Sequence, residues 1–216
     1  VPTMYAMIFS SPDFNLEEAR TRVRWGHIGG AMAPRDILAK MLEVTPYCSN
    51  PMGMTETAGF TTWTDIPGDL DNLHQTVGKI APEFELSIRD KDGNEVPQGT
   101  VGEICYRGPC VFKEYYKMPE ATAAAFDKDG WFYSGDLGFI DENGDLHLVG
   151  RAKEMYITGG YNVYPAEIED RIAQYPGVLF VAVVPVPHEL MGEVGRAYIV
   201  PKQGVTLDGD KIQEYL

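Results

Sequence analysis

Four segments combine glycine with polar side chains in patterns that a hydrophobic core does not require. Gly53-Met54-Thr55-Glu56-Thr57 sets a hydroxyl beside a carboxylate, just after a strand-like stretch. A threonine hydroxyl can donate to an anionic phosphate oxygen while a neighbouring carboxylate holds a divalent cation. Read alone, the same residues are also a polar helix start, with threonine as cap and glutamate in the first turn. Tyr133-Ser134-Gly135-Asp136-Leu137-Gly138 places an acid between two glycines at a strand end. A carboxylate there can accept both hydroxyls of a ribose, and glycine lets a ligand approach the backbone. The alternative is a β-turn in which Asp136 serves only as a turn former.

Gly150-Arg151-Ala152-Lys153-Glu154 presents two cations within three residues. Arginine offers a fork for hydroxyl or phosphate oxygens and lysine a mobile point charge; a solvated charged loop has the same composition. Tyr156-Ile157-Thr158-Gly159-Gly160-Tyr161-Asn162 pairs two glycines between a strand and a helix. That makes a wall thin enough for an extended ligand to thread past, or an ordinary strand-to-helix turn. The four histidines, His27, His74, His147 and His188, are scattered, without HExxH spacing. There is no GxSxG elbow, no GxxxxGK[ST] loop and no GxGxxG after a strand, so any nucleotide is bound by another architecture.

The elements that would position these groups fall into three zones, of α/β and α+β character. Residues 1–75 read as α/β. Val23–Ile28 suits a strand, Gly29-Gly30 breaks it, and Pro34 stands in the first turn of a helix carrying Ile37, Leu38, Met41 and Leu42 at helical spacing. Tyr47-Cys48 reads as a short strand. Residues 76–150 read as β-rich, with strands at Phe84–Ile88, Val101–Tyr106, Trp131–Tyr133 and Leu146–Val149, and a short helix at Glu120–Phe126. Glycine turns between short strands predict a small barrel or sandwich. From 151 onward a small α+β unit is predicted: a strand at Met155–Ile157, a helix opened by Pro165 with Ile168, Ile172 and Ala173 in step, and strands at Val178–Val186 and Ala197–Val200. The charged stretch 150–154 reads as the join.

The 216 residues are 44% hydrophobic and 23% charged, an ordinary globular composition that buries a core without staples. Eighteen basic against 32 acidic residues give a formal charge of −14. Such a surface repels phosphate backbones, which argues against nucleic acid as a partner and leaves a local nucleotide site open. Cys48, Cys105 and Cys110 form neither a disulfide framework nor a paired CxxC site. No apolar run approaches bilayer length, and Val1–Phe9 lacks the basic flank and cleavage site of a signal peptide, so a cytoplasmic protein is expected. Both ends read as cut: the start lies within an apolar segment, and Lys211–Leu216 as the start of a helix.

Taken in order, these segments resemble the adenylate-forming superfamily of acyl-CoA synthetases, nonribosomal adenylation domains and firefly luciferase, over nearly the whole chain. Gly29-Gly30-Ala31 is similar to the loop against adenine and acyl group. Met52-Gly53-Met54-Thr55-Glu56 is similar to the aromatic-Gly-x-Thr-Glu motif. Gly102-Glu103-Ile104 through Gly108-Pro109 to Tyr115-Tyr116 and Pro119-Glu120-Ala121-Thr122 resembles the structural motif preceding the ribose site. Trp131 to Gly138 resembles the ribose motif, and Gly150-Arg151 through Gly159-Gly160 to Asn162–Glu169 the hinge and the segment after it.

The resemblance implies that residues 1–150 are the later part of a large AMP-binding domain and 151–216 the hinge and part of a small C-terminal domain. It implies that Thr55 touches the α-phosphate, that Glu56 holds Mg2+, and that Asp136 and Arg151 bind the ribose hydroxyls. Gly30, Ala31, Met52, Gly53 and Met54 would surround the nucleotide, Lys153 would act at the hinge, and Gly159 and Gly160 would line the pantetheine path. The implied chemistry joins a carboxylic acid, fatty or aromatic, to ATP as acyl-AMP and then to coenzyme A; a homodimer is compatible with it. Met52 replaces the usual aromatic ring, and its thioether is expected to pack on the purine. The family's phosphate loop would precede Val1 and its catalytic lysine would follow Leu216, so the 216 residues alone are expected to adenylate poorly or not at all. An adenylation domain that loads a carrier protein and a catalytically silent nucleotide binder are the alternatives; the segment Ile157–Pro165 looks more like the CoA ligases.

Overall fold

Prolines and capping side chains at their N-termini set the helices of the first part of the chain. The computed structural model describes all 216 residues. Helix α1 (Pro2–Ser10) opens on a proline, whose missing N–H is not needed there. Helix α2 (Leu16–Arg22) is capped by Asn15, which accepts from the Glu18 N–H, and it carries Glu17 and Glu18 in its first turn and Arg20 and Arg22 in its last, matching the helix dipole. The predicted strand from Val23 shrinks to β1 (Gly26–His27), because α2 runs on to Arg22 and Val23 caps it. Helix α3 (Arg35–Val44) takes Pro34 as its N-cap rather than in its first turn, and buries Ile37, Leu38 and Met41. Strand β2 (Cys48–Ser49) runs parallel to β1. Ile28, Ala33, Cys48 and Leu73 close this core with the α3 face. Each fully buried aliphatic chain such as Leu38 contributes about 1.5–3 kcal/mol.

Strands β3 (Gly53–Met54) and β4 (Gly59–Phe60) pair antiparallel around a 3-10 turn, Thr55–Thr57. Strand β5 (Thr62–Trp63) pairs with β6 (Lys79–Ile80), with helix α4 (Leu70–Gln75) between them, capped by Asp69. Strands β7 (Glu85–Arg89), β8 (Gly102–Arg107), β9 (Phe132–Ile140) and β10 (Leu146–Arg151) form one sheet in the order β10-β9-β8-β7, and helix α5 (Pro119–Ala125) lies between β8 and β9 in the chain. Its core is Met52, Val77, Ile88, Ile104, Tyr106, Phe132 and Leu146.

The expected barrel does not form. Four strands leave β7 and β10 as edges, and the other sheets of this part are two-stranded, too small for closure.

The chain divides into two compact units, Val1–Ser134 with Gly138–Leu148, and Gly135–Leu137 with Val149–Leu216. The second contains β11 (Tyr156–Thr158), β12 (Tyr161–Val163), helix α6 (Pro165–Ala173), β13 (Val178–His188), β14 (Gly192–Pro201) and helix α7 (Gly209–Tyr215). Its sheet runs β12-β11-β14-β13. Val183, Val181 and Ile199 on one face meet Ile168 and Ile172 of α6 and Ile212 of α7. No helix is long and apolar enough to cross a membrane.

Candidate functional site

The structure gathers the sequence-predicted residues into two groups, one in each unit. In the first, the β3–β4 hairpin presents Thr55 and Glu56. Gly53 is the residue that permits this hairpin: a Cβ there would lie 2.2 Å from the Gly59 carbonyl oxygen. Thr57 is buried and closes the turn from below, taking the Met54 N–H at 3.2 Å and donating to the Gly59 carbonyl at 2.9 Å. Ala58 completes the reversal in the left-handed region, φ 56°. Thr55 is left exposed and Glu56 half-buried. The polar helix start that the segment also allowed is thus a single 3-10 turn.

Glu56 is held at two points. Its carbonyl accepts from the Phe112 N–H at 2.7 Å, and its Oε1 accepts from the Tyr115 hydroxyl at 2.9 Å. Burial and the adjoining carboxylate together raise the Tyr115 phenol above its ordinary range. The Gly29–Ala31 loop meets the start of the same hairpin, since a Cβ on Gly29 would stand 2.8 Å from the Pro51 carbonyl oxygen. Gly30 takes φ 81° and Ala31 is exposed.

Met52 departs from expectation. Its side chain is only 7% exposed and turned into the core, where its sulfur accepts from the Tyr106 hydroxyl at 3.2 Å. Its carbonyl is taken by the Thr61 N–H at 2.7 Å. The thioether is thus engaged by the hydrophobic core and a buried hydroxyl. Met54 is half-buried, packed against the same core.

In the second unit, Arg151 Nε lies 3.1 Å from Asp136 Oδ1, and the Ala152 N–H donates to the Gly135 carbonyl at 2.9 Å. Gly135 needs its freedom for φ 77°, since no atom crowds its missing side chain. The sequence placed this motif at a strand end; the structure runs it through the middle of β9, with the positive φ of Gly135 bending the strand from within. Lys153 is exposed in the turn that follows β10, where the Glu154 and Met155 N–H groups return to the Arg151 carbonyl. Gly159 and Gly160 join β11 to β12 rather than a strand to a helix. They form a two-residue hairpin turn with φ 57° and 91°, the backbone that such tight hairpins demand.

Tyr115 is the residue that sequence reasoning missed. It stood within a stretch given only a structural role, and nothing local ties it to a carboxylate 59 residues earlier. A divalent cation is compatible with the donors present. Glu56 uses one of roughly four acceptor positions on Tyr115. No three His, Cys, Asp or Glu side chains gather as a protein-only cage. Magnesium characteristically takes one or two carboxylates and completes its shell with phosphate and water, so a lone Glu56 fits it.

Comparison with known proteins covers both units. The AMP-binding enzyme family matches residues 1–116, and the AMP-binding enzyme C-terminal domain matches residues 167–216. A feruloyl-CoA synthase from Amycolatopsis sp is 40% identical over all of this chain and 43% of its own length. The putative acyl-CoA synthetase YngI of Bacillus subtilis is 36% identical over all of this chain and 40% of its own. The ATP-bound crystal structure of MatB from Rhodopseudomonas palustris superposes with a TM-score of 0.89 at 38% identity, covering 99% of this chain and 42% of that one. The chain thus spans somewhat over two fifths of the feruloyl-CoA synthase and MatB chains.

Proposed function

The chain belongs to the family of AMP-binding enzymes, and from that premise we propose that the whole protein is an AMP-forming acid–CoA ligase. It joins a carboxylic acid to ATP as acyl-AMP with release of pyrophosphate, then transfers the acyl group to the thiol of coenzyme A with release of AMP. The observation that carries this reading is the Asp136–Arg151 pair, a half-buried carboxylate beside a guanidinium that keeps 65% of its side chain open to solvent. A carboxylate accepts from vicinal hydroxyls while an adjacent fork donates to them, which is the demand of a ribose.

The same reading assigns the remaining roles. Thr55, exposed on the 3-10 turn, donates to the α-phosphate, and the Glu56 carboxylate holds Mg2+. The Gly30-Ala31 loop and the backbone of Met52, Gly53 and Met54 form the wall beside the nucleotide. The bound cation supplies charge neutralisation at the phosphates. The protein's own part is alignment and electrostatic stabilisation rather than a covalent intermediate. In this reading Lys153 acts at the hinge and the Gly159-Gly160 turn lines the approach of the pantetheine arm.

The direct test is product analysis by mass spectrometry with the whole protein, ATP, Mg2+ and a panel of acids. Ferulate heads the panel because a feruloyl-CoA synthase is among the relatives, followed by benzoate and fatty acids of graded length. Acyl-AMP without CoA and acyl-CoA with it are expected. AMP binding with no product from any acid would favour a silent nucleotide binder, and transfer to a carrier protein but not to CoA would favour a loading domain.

A further inference from the structure

We propose that Tyr115 is a positioning residue, whose phenol holds the Glu56 carboxylate in the orientation that receives the divalent cation accompanying the nucleotide. This rests on the reading of Glu56 given above and extends it to a residue that reading does not contain.

Glu56 sits in a three-residue 3-10 turn, half-exposed, on a side chain with three rotatable bonds. Left alone, such a side chain samples several rotamers, and ordering it costs conformational entropy. The Tyr115 hydroxyl fixes one of its oxygens at 2.9 Å and leaves the remaining lone pairs available. Tyr115 can act as a fixed arm because it is itself anchored. Its ring lies 4.6 Å from Phe112, and Phe112 packs at 5.3 Å on Phe132, a core residue 2% exposed. Its N–H donates to Thr122 Oγ1 of α5 at 2.9 Å. The Phe112 N–H meanwhile holds the Glu56 carbonyl. One four-residue segment therefore grips both the backbone and the carboxylate of Glu56. A link needed only to tie the turn to the core would be met by the backbone bond; the second bond goes to the functional atoms.

The test compares Tyr115→Phe, Glu56→Gln and the double variant in the whole protein. Affinity for Mn2+ is read by electron paramagnetic resonance in the presence of ATP, and metal-free AMP binding by calorimetry. Loss of an outer partner of a metal ligand typically weakens metal affinity by roughly 10–100-fold. Tyr115→Phe keeps the ring, so AMP binding should stay at its wild-type value while Mn2+ affinity falls by about tenfold or more. Glu56→Gln should lose at least as much, and Tyr115→Phe should add nothing to it. Unchanged Mn2+ affinity in Tyr115→Phe, with Glu56→Gln impaired, overturns the role of Tyr115 and spares that of Glu56. Equal losses in both glutamate backgrounds, or loss of AMP binding together with Mn2+, also overturn it, by showing action other than through the carboxylate. Unchanged Mn2+ affinity in Glu56→Gln overturns the reading on which the proposal rests.

Discussion

Arg151 Nε stands 3.1 Å from Asp136 Oδ1, with the arginine 65% and the aspartate 14% exposed. That asymmetry separates binding from stability. A pair so open on one side is screened, so Arg151→Gln should change the unfolding free energy by no more than about 1 kcal/mol. A lost charged hydrogen bond to a ligand costs about 1.5–3 kcal/mol, so AMP affinity should fall by roughly tenfold or more. Calorimetric titration beside a denaturant melt separates the two effects. Large destabilisation with unchanged AMP affinity would contradict the ribose assignment.

Gly53 and Gly160 should respond differently to alanine. At Gly53 the added Cβ meets backbone, 2.2 Å from the Gly59 oxygen and 2.7 Å from the Phe60 Cα. Neither atom can rotate away, so overpacking of at least about 1–3 kcal/mol is expected, and the Thr55–Glu56 turn must shift with it. Gly160→Ala meets nothing within 4 Å and bears only the cost of φ 91°, about 1–2 kcal/mol. Denaturant midpoints give both values; only Gly53→Ala should also impair nucleotide binding.

The thiols should differ in reactivity. Burial pushes Cys48 up to about 11, and burial with the nearby Glu103 pushes Cys105 up to about 12, whereas Cys110 is exposed. The thiolate is the reactive form. At pH 8 a disulfide reagent should label Cys110 promptly in the native protein and all three thiols after denaturation. Fast labelling of Cys48 or Cys105 in the native state would contradict the packing. Both raised values also predict a stability contribution that is intact below the ordinary thiol range and lost as pH climbs towards 11 and 12.

Acid should weaken the first unit through Asp141. Burial pushes its carboxyl up, but His147 at 3.1 Å and the N–H groups of Asn143 and Asp145 outweigh it, so the group lies below the ordinary carboxylate range. A depressed value contributes stability that is present above the ordinary range and lost as pH falls through the folded value. Asp141→Ala should therefore destabilise the protein at pH 7, and the difference from wild type should shrink as pH approaches 3. Thermal melts across that range measure it.

What could be read from the sequence was what is local. Ile37, Leu38 and Met41 at helical spacing announced α3, and Pro165 announced the start of α6. The strands at Val178 and Ala197 were legible from their β-branched runs, though both extend further as β13 and β14. The failures have tertiary causes. Met52 sits at a motif position, but Tyr106, 54 residues away, captures its sulfur. Gly159-Gly160 looked like a turn into a helix because β12 is only three residues long and carries no periodic signal. The missing barrel reflects strand count and order, which turn signals do not encode. Tyr115 was invisible for the same reason: its meaning lies in a hydrogen bond across 59 residues.

Acid-dependent exchange of labelled pyrophosphate into ATP bears most directly on the central claim, because only reversible formation of an acyl-adenylate produces it. The whole protein should catalyse exchange with at least one carboxylic acid, require Mg2+, and lose most of it in Thr55→Ala and Arg151→Gln. Absence of exchange across the acid panel, or ATP consumption yielding ADP and phosphate in place of AMP and pyrophosphate, would contradict the account.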